Sequence, residues 1–157
     1  MADVFSKAKR SQIMSRVRAH GNERTELALI RVFRRHHLAG WRRRVRLFGS
    51  PDFLFPKYRV ALFVDGCFWH GCPEHATRPK TNRAFWEKKL LRNSERDILV
   101  SRTLKRRGWR VLRIWQHELL RKNETFCVQR IKRALAITSA DTPKRKSAVR
   151  QTRGLLA

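Results

Sequence analysis

Fourteen residues, "LFVDGCFWHGCPEH" from Leu62 to His75, hold two of the chain's three cysteines, two of its six histidines, an aspartate and an adjacent Phe-Trp pair. Cys67, Cys72 and His75 follow a C-x4-C-x2-H spacing, and His117 comes after the later apolar stretch "VLRIW". Two thiolates, a local imidazole and one remote imidazole would make a closed tetrahedral Cys₂His₂ zinc site. Buried cysteines beside solvated histidines are the plainer alternative, because the local spacing is not a common zinc-finger pattern. Cys127 falls on the apolar side of the last helical pattern and reads as core.

His70 lies between the proposed ligands without being one of them. On a turn fixed by metal it could exchange a proton with water near a second metal site. Phe68 and Trp69 share that turn. They read either as core or as a wedge that enters a base stack and kinks a duplex, with Trp86 able to join them. Acids are scarce, 12 in 157 residues, so their positions carry information. Asp52 opens a short strand after Pro51, and Asp65 closes the next apolar strand. Glu26 lies beside the apolar positions of a helix and can reach the same cleft. Paired strand ends carrying carboxylates are a common way to hold a divalent metal against a scissile phosphate. A helix cap or a surface ion pair is the ordinary role of any one such acid.

The elements around these residues follow from periodicity. A helix is predicted over 22–37, with Leu27, Ile30 and Phe33 on one face and Asn22 as its N-cap. "WRRRVRLFG" reads as a strand with Val45 and Leu47 on one side, and "SPDFLFP" as a short second strand. "RVALFVDG" reads as a central strand buried on both faces. Asn82 to Arg107 is the longest helix, with Leu91, Ile98 and Leu104 inward and Lys88, Lys89, Arg92 and Arg96 solvated. Gly108 stops it, "WRVLRIW" returns as a strand, and a last helix from Asn123 carries Val128, Ile131 and Leu135. The order implies one compact mixed α/β domain with a small central sheet. Residues 1–21 read as a basic N-terminal arm. Residues 138–157 have lost apolar periodicity and read as a disordered basic tail.

Charge restricts the partners. With 38 Lys and Arg against 12 Asp and Glu, the formal net charge is +26. Such an excess repels itself and makes sense beside a polyanion, above all nucleic acid. A membrane surface lacks support, since no long amphipathic segment has a clean apolar face. No run approaches the roughly 18–20 apolar residues of a membrane span. The polar, charged N-terminus does not read as a secretory signal, and three cysteines with no pattern of pairs suit a reducing cytoplasm.

Three stretches in order, "PDFLFPKYRVALFVDGCFWHGCPEH", "FWEKKLLRNSERD" and "GWRVLRIWQHEL", resemble the Vsr family of very-short-patch-repair DNA mismatch endonucleases. The opening "MADVFSKAKRSQIMSRVRAHGNERTELAL" is similar as well, and the resemblance covers roughly residues 1 to 137. It implies a restriction-endonuclease-like α/β fold with a structural zinc, residues 22–137 being the endonuclease domain. The implied activity is Mg²⁺-dependent nicking of duplex DNA on the 5′ side of the thymine in a T·G mismatch. It also implies roles by position. Asp52 would be the metal-binding catalytic aspartate, His70 the catalytic histidine, Glu26 a catalytic-site glutamate and the Val64 carbonyl a further Mg²⁺ contact. Phe68, Trp69 and Trp86 would insert beside the mismatch from the major groove, and Met14 from the minor groove. Two departures stand out. Asp65 replaces a second active-site histidine and is expected to assist metal binding. His117 replaces a cysteine as remote zinc ligand, and Cys72-x2-His75 replaces a local His-x-Cys arrangement.

The expected partner is duplex DNA bearing T·G, acted on by a monomer, with mismatch-repair proteins or a cytosine methyltransferase as further candidates. The expected location is a bacterial cytoplasm, at the nucleoid. Competing readings are a nuclease of the same fold with relaxed or different lesion specificity, and a zinc-containing DNA-binding protein without catalysis. Carboxylates facing a phosphate separate these classes, because a pure binder gains nothing from them.

Overall fold

In the computed structural model, the described residues are 22–75 and 82–136. The basic arm with Met14 and the basic tail lie outside them. The apolar run Val60–Asp65 forms strand β2, the middle of a three-stranded sheet ordered β1-β2-β3. Strand β1 (Phe53–Phe55) pairs with it antiparallel, Phe53 opposite Leu62. Strand β3 (Arg110–Trp115) pairs with it parallel, Val60 opposite Arg110. The helices are α1 (Glu26–Arg35), α2 (Arg83–Arg106), which crosses between the parallel strands, and α3 (Glu124–Ala136). The mixed α/β architecture is thus as the periodicity implied.

Successive strand residues face opposite sides of a sheet. Phe53, Phe55, Val60, Leu62 and Ile114 turn to one side and pack with Leu29 and Phe33 of α1 and Val128 and Ile131 of α3. Cys127 is fully buried there, as core. Leu54, Ala61 and Phe63 turn to the other side, against Val100 and Leu104 of α2. By the same alternation Asp65 and Arg113 face α2. Arg59 ties the starts of β2 and β3 by donating to the carbonyls of Arg107 and Gly108 at 2.7 and 2.9 Å. Glu124, buried at the start of α3, accepts both guanidinium hydrogen bonds of Arg35 at 2.8 and 2.6 Å and so joins the ends of two helices.

Three expectations are corrected. The stretch around Val45 is not a strand: one isolated bridge, Arg42 to Leu54, joins it to β1. Arg44 has φ 53°, a left-handed conformation that breaks an extended pleat, and Leu47 N–H closes a tight turn on the Val45 carbonyl at 2.9 Å. Val45 and Leu47 still pack inward, against the α2 side. Second, Asn22 is not the helix cap. Its carboxamide oxygen accepts from the Arg24 N–H at 2.9 Å, making a turn ahead of a helix that begins at Glu26. Third, Leu91 and Ile98 are exposed, 60% and 49%, while Trp86, Val100 and Leu104 are buried. The buried face of α2 runs through Asn93 and Asp97, polar residues that an apolar stripe does not reveal.

Gly108 ends α2 with φ +75°, letting Trp109 N–H reach the Leu104 carbonyl at 2.9 Å. Gly49 lies flush on α2, where an added Cβ would sit 2.3 Å from a Val100 methyl. Among the described residues no helix is long and apolar enough to cross a membrane. Truncating the inward Leu104 to Ala should cost about 2–5 kcal/mol of unfolding free energy, against under about 0.5 for Leu91→Ala. Urea unfolding of the two variants checks which face of α2 carries the core.

Candidate active site and metal centre

Antiparallel pairing sets Asp52 just ahead of β1, beside the end of β2, and its Oδ2 accepts the Val64 N–H at 2.7 Å. A cleft of about 660 Å³ opens there. Glu26, Asp52, Val64, Asp65 and His70 all line it, together with Trp69. Four of the five were picked out in the sequence as acids or base and the fifth by resemblance, and the fold brings them to one place. Glu26 is buried in the wall and ion-paired with Arg43.

Two further residues of the cleft were missed. Asp97 Oδ2 lies 2.6 Å from His70 Nδ1, which fixes one ring nitrogen. Arg113 donates twice to Asp65, from Nε at 2.6 Å and Nη2 at 2.7 Å, and Nη2 also reaches Asp97 Oδ1 at 2.8 Å. Both oxygens of Asp65 are therefore on Arg113, with His70 Nδ1 3.8 Å away. Burial alone would raise the Asp97 carboxyl, but its hydrogen bond to His70 and the charges of His70 and Arg113 hold it below the usual carboxylate range. Burial would likewise lower the Arg113 guanidinium, and the two carboxylates push it above its ordinary value. The signal in the sequence was present: an acid on the inward face of α2, and an arginine inside the apolar run "VLRIW".

Immediately after β2 the chain reverses in a turn closed by His70 N–H on the Gly66 carbonyl at 3.2 Å and Cys72 N–H on the Cys67 carbonyl at 2.9 Å. Asn93 of α2 donates to the Trp69 carbonyl at 2.8 Å and clamps the turn from outside. Cys67, Cys72, His75 and His117 offer ligand atoms all within 4.8 Å of one another. His117 Nδ1 lies 3.3 Å from Cys67 Sγ and 3.5 Å from Cys72 Sγ, and His75 Nδ1 lies 3.8 Å from Cys72 Sγ. Bond lengths of about 2.3 Å to sulfur and about 2.05 Å to nitrogen at tetrahedral angles give S···N edges of about 3.5 Å, so the donor set fits zinc. Burial pushes the Cys67 thiol up, the nearby Cys72 adds to this, and a hydrogen bond at His117 opposes both.

On the other side of the turn, Phe68, Trp69 and Trp86 pack together with ring centroids 5.0 to 5.9 Å apart. Phe85, exposed and unremarked in the sequence, extends the group at 5.4 Å from Trp86. Lys89 lies over Trp69 at 4.9 Å and over Trp86 at 5.5 Å. Met14 lies outside the described residues.

Residues 2–75 match the family model described as DNA mismatch endonuclease Vsr. The chain is 38% identical over 135 residues to the type II nicking enzyme V.NmeDIP of Neisseria meningitidis serogroup C, covering 85% of this chain and 90% of that protein. It is 38% identical over 117 residues to the DNA mismatch endonuclease Vsr of Escherichia coli K12, covering 74% of each. The type II nicking enzyme V.NaeI of Lentzea aerocolonigenes is 54% identical over 71 residues, 45% of this chain and 43% of that protein.

Because the Asp97 carboxyl is depressed in the folded state, its stabilisation is present above the ordinary aspartate value near 3.8 and is lost as pH falls through the lower folded value. Asp97→Asn should therefore lower the urea midpoint at pH 7, with the gap to wild type closing as the pH drops below about 3.8.

Proposed function

This chain belongs to the Vsr family of DNA mismatch endonucleases, and on that premise we propose that it nicks one strand of duplex DNA 5′ to the thymine of a T·G mismatch. The observation that carries the reading is the meeting of Asp52, Val64 and an Asp97-held His70 in one cleft, one turn away from an aromatic cluster. In this reading the fold is restriction-endonuclease-like. Residues 22–137 make the endonuclease domain and the basic arm 1–21 brings Met14 to the minor groove, with the basic tail 138–157 outside the domain. Strand nicking fits the names of its relatives, and one active site per chain suits a monomer acting on an asymmetric substrate.

Asp52 and the Val64 carbonyl are the proposed Mg²⁺ ligands; Asp65, expected from the sequence to assist, has both oxygens on Arg113 and is not included among them. Magnesium bound there would neutralise charge on the scissile phosphate and make water more acidic. His70 then handles the proton, taking it from attacking water or giving one to the leaving oxygen, while Asp97 keeps the ring oriented. Glu26, held by Arg43 in the cleft wall, supports the cluster. Zn²⁺ on Cys67, Cys72, His75 and His117 is the proposed structural metal. It would keep the turn rigid, so that His70 faces the phosphate while Phe68, Trp69 and Trp86 face the base stack. A mismatch is favoured because unstacking around it costs less than around a Watson–Crick pair.

Mismatch-repair proteins or a cytosine methyltransferase remain candidate partners, and a bacterial nucleoid the expected place of action. The test uses end-labelled duplexes carrying T·G, T·A or C·G, with Mg²⁺ or EDTA. Wild type should nick the thymine strand of the T·G duplex only with Mg²⁺, and Asp52→Ala should lose at least about 10³-fold in rate. Equal nicking of all three duplexes would replace the mismatch assignment with a broader specificity. Binding without nicking by wild type would favour a DNA-binding protein without catalysis.

A further inference from the structure

Arg113 lines the cleft beside the proposed Mg²⁺ ligands Asp52 and Val64. Three of its N–H···O contacts go to two carboxylates on different elements, Asp65 at the end of β2 and Asp97 in the middle of α2. Its guanidinium also lies 4.9 Å above the ring of Phe63, the residue directly opposite it in the β2–β3 register. The fork is thus fixed from below by an aromatic face and at its edge by a bidentate carboxylate, the geometry in which arginine is not replaceable by lysine. Asp65 is 4% exposed, and a carboxylate so buried requires a partner of opposite charge. Asp97 in turn has one oxygen on Arg113 and the other on His70 Nδ1.

We propose that Asp65 and Arg113 form a single positioning unit that holds Asp97, and through it His70, rather than Asp65 serving as a magnesium ligand. The chain of contact is continuous: Phe63 and Asp65 fix Arg113, Arg113 fixes Asp97 Oδ1, and Asp97 Oδ2 fixes the imidazole. A magnesium ion on Asp65 would have to share oxygens that already accept at 2.6 and 2.7 Å. Removing Arg113 alone leaves two carboxylates side by side without their common counter-charge, so Asp97 moves and the ring loses its orientation. Removing Asp65 as well eases the charge imbalance but does not bring back the contact that holds Asp97, so the two substitutions are not additive. The catalytic meaning of the unit rests on the nicking function proposed above; its effect on the ring does not.

The experiment is a double-mutant cycle, Arg113→Met, Asp65→Asn and the double variant, with Arg113→Lys as a charge-keeping control in case Arg113→Met fails to fold. Two quantities are read: single-turnover nicking of the T·G duplex alongside its dissociation constant, and the His70 ring Nδ1–H signal in ¹⁵N-edited NMR. Arg113→Met should slow nicking about 10–100-fold, as loss of a residue that orients a site ligand does, with duplex affinity changed less than about threefold. The His70 signal should broaden or shift in the same variant. The double variant should be no slower than Arg113→Met alone, because the unit is already broken, with the His70 signal still perturbed, and Arg113→Lys should fall between wild type and Arg113→Met. An unchanged His70 signal in folded Arg113→Met or Arg113→Lys overturns the proposal. So does a loss of affinity with the rate intact, which would make Arg113 a phosphate contact, and so do strictly additive effects. Wild-type protein that does not nick, but whose His70 signal responds as described, would sink the proposed function and leave the positioning unit standing.

Discussion

Two parallel strands end side by side, and the segments leaving their ends are chemically tied to each other. Strand β2 runs out at Asp65 and enters the Cys67–Cys72 turn; β3 runs out at Trp115 and delivers His117 two residues later. The His117 ring meets both cysteine sulfurs within 3.5 Å, so the sheet edge and the turn share one anchor. Everything on the turn inherits that constraint. His70 meets Asp97, while Phe68 and Trp69 pack with Trp86. A short loop without such an anchor would be free to reorient, because few backbone hydrogen bonds hold it.

Charge is managed in two regimes. The exposed surface keeps a large cation excess, including Lys88, Arg92 and Arg96 along α2, suited to phosphates and sensitive to salt. Inside the cleft wall the charges are instead paired one by one, Glu26 with Arg43 and Asp65 with Arg113. Among the described residues the two buried guanidinium nitrogens without a hydrogen-bond partner, Arg43 Nε and Arg113 Nη1, belong to these same pairs. That is a cost of about 1–3 kcal/mol each, accepted where carboxylates must be kept in place.

Much of this was legible in the residues. The central strand, the zinc-compatible spacing, the scarce acids at strand ends and the aromatic pair on the turn all follow from composition and period. What was hidden has a common physical cause. The inward face of α2 is polar where it serves the cleft, so Asn93 and Asp97 break the apolar stripe and Leu91 and Ile98 offer a false one. The arginine-rich stretch around Val45 alternates like a strand, but the left-handed Arg44 bends it, a choice made by packing on α2 and not by local propensity. Arg113 read as one more cation of a basic chain because its partners are 48 and 16 residues away in sequence.

The claim that metal at the Cys/His turn couples mismatch detection to the cleft is tested most directly by 2-aminopurine fluorescence next to T·G. The duplex would be mixed with wild type, with a Phe68→Ala/Trp69→Ala variant, and with wild type stripped of metal by a chelator and checked by circular dichroism for retained helix. Zinc-loaded wild type should raise the fluorescence by unstacking the base. The double variant and the stripped protein should bind the duplex with little or no rise, and added Zn²⁺ should restore it in the stripped protein alone. An equal rise from the stripped, folded protein would contradict the coupling and reduce the turn to ordinary structure.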